Sequence, residues 1–378
     1  MLEIDTLDAF RGWIAEGSTR PPAACQALDL TAQPELEAEP FPDSLFLGCD
    51  LTPTAAAHLV RHGALVIHDP GERPYPMHRA HLYTPEELFA GYDGALDGYT
   101  RTYDHAVYAH YVATGKQHPT SILESLARRL HDHAMTDALT EALQNEKPVA
   151  IMGGHGLERR DPAYRQIARV ARALTRQGYL MLSGGGPGAM EATHLGAWFA
   201  HFDDGALDEA LTQLSVRPDG AEPGKEYADP DWLQRAWRVR DRWRVPEPRY
   251  HSVGIPTWLY GHEPPAPFAT RIAKYFANSV REEGLLAVAS HGVIFARGSA
   301  GTTQEIFQDA AQNHYASFGG RSPMILLGRD FWTRERPVWP LLQKVAAGKV
   351  YDELLFLTDD EEAVVRRIRS YNPSLYAV

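Results

Sequence analysis

Two stretches of this 378-residue chain repeat one design, and together they narrow the fold more than any other feature. The first starts with the apolar run Tyr179-Leu180-Met181-Leu182. It passes through Ser183-Gly184-Gly185-Gly186-Pro187-Gly188 and continues into the helix-forming Ala189 to Ala200. The second runs from His291 to Asn313. Val293-Ile294-Phe295 is a short β-forming run, and Gly298-Ser299-Ala300-Gly301 leaves almost no side-chain bulk in the turn. Thr302 or Thr303 can cap the helix that follows. A strand, a glycine loop and a helix in that order place free N–H groups and a positive dipole end together, which suits a phosphate. Two such units in one α/β chain can converge at the C-terminal edge of one sheet.

One turn into the second helix stands Glu305. A carboxylate beside an anion site is unfavourable, so its presence points to catalysis. Gln308, Asp309 and Gln312 are spaced to share its face, with Ile306, Phe307, Ala310 and Ala311 opposite. A solvated polar face is the plain alternative.

Neither loop is a dinucleotide fingerprint, because the G-x-G-x-x-G spacing and the acidic residue on the next strand are missing. Neither is a Walker A loop, since no G-K-[ST] follows. A mononucleotide or sugar phosphate suits them better than NAD or ATP. Either loop alone could be an ordinary tight turn; the pair counts against that.

Other chemistries find less support. A net charge of -12 argues against a general nucleic-acid binder and against an anionic membrane surface. Arg235, Arg238 and Arg242 line one side of a predicted helix 231–244, opposite Trp232, Ala236, Val239 and Trp243. A surface helix with a tryptophan stripe explains this pattern better than nucleic-acid binding. His262-Glu263 is no metalloprotease motif, because Pro264 and Pro265 break the helix. The 17 histidines show no ligand spacing, so no catalytic metal is expected. No Gly-x-Ser-x-Gly occurs, and neither Cys25 nor Cys49 has a nearby histidine. Two cysteines, no membrane-length apolar run and a charged N-terminus read as a soluble cytoplasmic protein.

Alternating strands and helices predict a doubly wound, mostly parallel α/β sheet. Residues 1–145 read as an N-terminal α/β extension with helical segments, and 146–378 as the nucleotide-binding catalytic domain. In the extension, a helix over 7–14 leads into a Pro/Ala/Glu-rich connector. Strands are expected at 45–49 and 64–68, with Thr54 capping a helix between them. Ile122, Leu126, Leu130, Met135, Leu139 and Leu143 mark one face of a helix over 121–144. In the second domain, strands are expected at 148–152, 179–182, 252–258, 293–295, 323–327 and 354–357. Helices are expected at 164–177, 268–281, 340–346 and 359–370, and 203–230 reads as an acidic insertion.

The residues Ser183-Gly-Gly-Gly-Pro-Gly-Ala-Met190-Glu191 and Gly298-Ser-Ala-Gly301-Thr302-Thr-Gln-Glu305 resemble the signature of the Lonely Guy (LOG) family. That signature is a G-G-G loop followed by P-G-G-x-G-T-x-x-E. The likeness covers about Val149 to Leu327, and the long extension resembles the larger bacterial nucleotide monophosphate nucleosidases. The resemblance implies a Rossmann-like fold, a homodimer or larger homo-oligomer, and no metal or organic cofactor. It implies cleavage of a nucleoside 5′-monophosphate to free base and ribose 5-phosphate. On these terms Glu305 would stabilise the anomeric cation and orient or deprotonate water. Arg281 would bind phosphate or help the base leave. Gly184, Gly185, Gly186, Gly188, Met190, Gly298, Ser299, Gly301 and Thr302 would hold phosphate and ribose. The signature proline is Arg297 here, and its second glycine is Ser299; Arg297 is expected to grip the phosphate, to obstruct the loop, or simply to point to solvent or an acidic neighbour. The family arginine is assigned to Arg281 with a one-residue shift from Glu282, and Arg271 is the fallback. The alternative on the same fold is a non-catalytic nucleotide-binding or regulatory protein.

Overall fold

The structure, a computed structural model, describes residues 1–69, 73–96, 98–216, 222–229 and 231–377. The chain divides into two compact units, Met1–Leu82 with Ala109–Ala142, and Tyr83–Tyr108 with Leu143–Val378. Part of the expected insertion, residues 217–221 and 230, lies outside the described residues.

The first unit is built on four parallel strands in sequential order: β1 (Leu2–Ile4), β2 (Ala23–Gln26), β3 (Leu45–Leu47) and β4 (Leu65–Ile67). β1 and β2 fall in the stretch expected to be a helix and a connector. Ala23-Ala-Cys-Gln26 carries no β-branched residue, so nothing in its composition announces a strand. The helix Pro53–Arg61 is capped by Thr52, whose hydroxyl accepts from the Ala55 N–H, and not by Thr54. Phe10, Trp13, Leu36, Phe41, Phe46 and Leu59 fill the core.

The helix Ile122–Ala142 exists, but the expected apolar face is wrong in its first half: Ile122 and Leu126 are exposed, while Glu124, Arg128 and His131 are buried. A polar network accounts for this. The Glu124 carboxylate accepts from Arg128 Nε at 2.7 Å and Tyr75 OH at 3.0 Å, beside His110 Nε2 at 3.2 Å. Periodicity reads only apolar residues and cannot see such a cluster.

The second unit holds a seven-stranded sheet in the order β11-β10-β9-β5-β6-β7-β8. Its strands are β5 (Pro148–Met152), β6 (Leu180–Ser183), β7 (Ser252–Gly254), β8 (Arg271–Ile272), β9 (Val293–Phe295), β10 (Met324–Leu327) and β11 (Leu355–Thr358). All are parallel. This is the doubly wound Rossmann-like arrangement. The chain winds outward from β5 to β8, then returns to the other side of β5 at β9. The winding therefore reverses between β5 and β9, where open α/β sheets form their ligand crevice. Both glycine loops lie at this edge, after β6 and after β9.

The expected helix over 268–281 is not formed. Phe268, Ala269, Ile272, Ala273, Tyr275 and Phe276 are all buried, leaving no polar face to set against an apolar one. The segment runs extended through β8, with Ala273 N–H donating to Gly254 O and Tyr275 N–H to Pro256 O. The helix forms later, over Asn278–Val288. Lys274 is fully buried there, and Asp104 accepts from Lys274 Nζ at 2.5 Å, Trp258 Nε1 at 3.0 Å and Tyr99 OH at 2.8 Å.

The tryptophan stripe is as expected: Trp232, Ala236 and Val239 are buried on the helix Trp232–Arg242. Its arginines are not a free basic face. Arg235 is buried against Asp229 and Asp231, Arg240 reaches Glu86, and Arg242 pairs with Glu209. Among the described residues no helix is long and apolar enough to cross a membrane.

Candidate functional site

The carboxyl ends of β5, β6, β7 and β9 surround a cavity of about 270 Å³. Gly153, Gly154 and His155 enter it after β5, and Gly184 to Gly186 and Met190 after β6. Pro256, Thr257 and the loop Tyr260 to Pro265 follow β7. The helix Asn278–Val288 supplies Arg281 and Glu282. The loop and helix after β9 supply Ser299, Gly301, Thr302 and Glu305. Cavity-facing polar atoms thus come from sequence-distant loops that the parallel sheet brings to one edge.

The first glycine loop is tightly determined. Gly185 adopts φ +69°, and a Cβ there would lie 2.7 Å from Pro256 Cδ and 2.9 Å from Ile255 N. Its N–H donates to Ser183 Oγ at 3.1 Å. That hydroxyl is also hydrogen-bonded to His194 Nε2 at 2.7 Å, and His194 Nδ1 lies 2.9 Å from Ser252 Oγ. Burial pushes the imidazole down to about 3, so it is neutral. The helix Ala189–Trp198 begins at Gly188 without a side-chain cap.

The second loop joins the first through the backbone: Gly154 N–H donates to Arg297 O at 3.0 Å, and Ala189 N–H donates to Gly154 O at 3.2 Å. The helix over Ala300–Tyr315 starts two residues before Thr302, with Ser299 at its head and no side-chain cap. The expected caps Thr302 and Thr303 are inside the first turn. Thr302 is buried, and Thr303 Oγ1 donates back to Ser299 O. The leading N–H groups of this helix therefore have no side-chain cap, at exposed positions beside the cavity. Gly298 does not line the cavity; it leaves room for the Thr302 side chain.

Glu305 faces the cavity. Burial pushes its carboxyl up to about 7; Arg281 opposes the rise and Glu282 adds to it. Arg281 is itself buried, donates to Asn278 Oδ1 at 2.9 Å, and keeps a buried Nε with no partner. Its Nη1 lies 3.4 Å from where a Cβ on Gly184 would stand. Thus an arginine with unspent donors sits beside the first glycine loop and within the electrostatic reach of Glu305.

Of the residues singled out in the sequence, Gly184, Gly185, Gly186, Met190, Arg281, Ser299, Gly301, Thr302 and Glu305 line this one cavity. Gly188 and Gly298 shape its loops from behind. Arg271 lies on β8 and does not line it. Arg297 does not line it either. The exposed Arg297 guanidinium sits over the Phe331 ring at 5.6 Å and borders a different depression with Arg165, Arg169 and Asp359. The expected phosphate grip, or obstruction, by its side chain has no support in this geometry. The polar face assigned to Glu305 is also corrected: Asp309 is buried and Ala311 exposed, since Asp309 receives Asn313 Nδ2 inside the unit.

Sequence reading missed Gly153, Gly154, His155, Glu263 and Glu282 at the cavity. Gly153-Gly154 directly follows an apolar strand, and that signal was legible. Glu263 and Glu282 lie on a proline-flanked loop and a weakly amphipathic helix, where nothing local marks them. Glu191, within the first motif, is structural. It is fully buried and pairs with Arg159 Nη2 at 2.5 Å, Arg159 Nε at 2.9 Å and Tyr164 OH at 2.8 Å.

No protein-family model and no curated protein sequence matches this chain.

Proposed function

We propose that the chain is a nucleoside 5′-monophosphate phosphoribohydrolase of LOG type, cleaving the N-glycosidic bond to free base and ribose 5-phosphate. The observation that carries this reading is Glu305, a partly buried carboxyl raised towards neutrality in a cavity framed by two glycine loops and Arg281. Glycosidic C–N cleavage builds positive charge at the anomeric carbon. A carboxylate beside that carbon stabilises the charge and can take a proton from the attacking water. The uncapped helix start at Ser299, on the cavity wall, offers N–H groups for phosphate or ribose oxygens. Arg281 offers a charge-assisted contact to the phosphate or to the departing base.

The alternative, a nucleotide-binding protein without catalysis, would rest on the two departures from the signature, Arg297 and Ser299. With the Arg297 side chain turned to Phe331, only Ser299 remains as a change at the cavity, and it adds one hydroxyl. The proposed test compares a 5′-monophosphate with its nucleoside. Base release confined to the monophosphate supports the reading; equal release from both would remove the phosphate from it.

The reading includes a homodimer and a cytoplasmic setting. The tryptophan helix does not argue for a dimer, because its stripe is buried within its own unit. Tyr315 and Phe318 are exposed at the end of the helix after the second loop and offer apolar surface to a second copy. Light scattering at micromolar concentration decides the point. Cys25 and Cys49 are buried free thiols, which suits a reducing compartment.

A further inference from the structure

The cavity holds a further, partly buried carboxyl, Glu263, that the reading above leaves without a task. Glu263 is 13% exposed, with Oε1 3.9 Å from Nε2 of the exposed His262 and Oε2 3.6 Å from the place a Cβ on Gly186 would take. Its loop is pinned at both ends. Trp258 Nε1 is held by Asp104 at 3.0 Å, Tyr99 OH lies 2.9 Å from Gly261 O, and Ala266 N–H donates to Gly185 O at 2.7 Å. Pro264 and Pro265 stiffen the chain between. The loop therefore holds Glu263 over the first glycine loop, while Glu305 enters from the helix after the second.

We propose, resting on the phosphoribohydrolase reading, that Glu263 is the general acid that protonates the departing base. Hydrolysis of a glycosidic bond commonly divides between two carboxyls, one protonating the leaving group and the other serving the water. The C1′–N bond breaks with its electron pair going to the base, which takes the proton of Glu263. The water oxygen bonds to C1′ and gives its proton to Glu305. Solvent then returns a proton to Glu263 and removes one from Glu305, so the cycle balances.

Burial raises the Glu263 carboxyl above the ordinary carboxylate range, while His155, His262 and Arg281 pull it down. Besides these, the phenols of Tyr99 and Tyr227 feel its charge. Glu305 and Glu282 share the same cavity.

The test uses two substrates: the best-cleaved mononucleotide, and 4-nitrophenyl ribofuranoside 5-phosphate, whose leaving group departs without a proton. Glu263→Gln should lower kcat on the nucleotide by roughly 10²–10⁴-fold and remove the basic limb of its kcat/KM profile. On the nitrophenyl substrate it should change kcat by less than about threefold. Glu305→Gln should abolish both reactions. Equal loss on both substrates, or an unchanged nucleotide rate and pH profile, would overturn the general-acid role. Failure of the wild type on every mononucleotide would instead overturn the reading on which it rests.

Discussion

His194 Nε2 lies 2.7 Å from Ser183 Oγ, and the same hydroxyl accepts the Gly185 N–H at 3.1 Å. The glycine loop is thus held from behind by a buried, neutral imidazole that touches no substrate position. Its proton affinity falls from 6.5 to about 3 on folding. Between those values the unfolded chain binds a proton that the folded chain refuses. This contribution to stability is present above pH 6.5 and is lost as pH falls towards 3. Urea titrations at pH 7 and pH 5 should show that His194→Gln, which keeps a polar side chain, loses about 2 kcal/mol less than the wild type over that interval. An identical loss would mean that the imidazole is already charged in the fold.

Glu305 works in the opposite direction. Its folded value of about 7 stands above the ordinary 4.5, so its stability contribution is present below 4.5 and is lost as pH rises through 7. Glu305→Gln should therefore stabilise the protein by about 3 kcal/mol at pH 8 and by little at pH 4.5. A gain of that kind at an inactivating substitution is the mark of a group kept for chemistry. Thermal melts at the two pH values measure it.

The two glycine loops should respond differently to a branched side chain. At Gly185 the backbone is left-handed, and Pro256 and Ile255 fill the space. Gly185→Val should cost both stability and nucleotide affinity. Gly301 faces open space at the cavity rim, so Gly301→Val should leave melting unchanged. It should still weaken nucleotide binding by tenfold or more, about 1.4 kcal/mol, because a side chain there stands between backbone and phosphate. Calorimetry of both variants separates the two effects.

Arg297→Pro restores the signature residue of the resembled family. Since the guanidinium lies over Phe331 and outside the cavity, KM for the monophosphate should stay within about twofold. A rise of tenfold or more, absent for the nucleoside, would show that the side chain swings onto the phosphate.

The site was legible in the sequence where a backbone requirement and a chemical one coincide. Gly184 to Gly186, Gly301 and Glu305 were found because a strand, a glycine turn and a helix leave a spacing that can be counted. The same counting failed at 268–281. Burial on every side there makes a helical spacing of apolar residues meaningless, and a buried Lys274 is held by Asp104 from far away in the chain. It failed again at Ala23–Gln26, where a strand of small residues takes its identity from β1 and β3 beside it. Arg297 shows a third limit: its position at the loop mouth was readable, but the direction of its side chain depends on Phe331. Glu263 depends on three-dimensional closure alone, since its loop is sewn to Gly185 by a single backbone hydrogen bond at Ala266.

The central claim is that Glu305 breaks a nucleotide's glycosidic bond in this cavity. The most direct measurement incubates wild type and Glu305→Gln with AMP, GMP, CMP, UMP and isopentenyl-AMP. It follows free base by chromatography and ribose 5-phosphate alongside, and calorimetry reports nucleotide binding to both proteins. The expected result is base and ribose 5-phosphate in equal amounts from at least one nucleotide with the wild type, and neither with a variant that still binds it. Nucleotide binding without base release by the wild type, or near-normal turnover by Glu305→Gln, would contradict it.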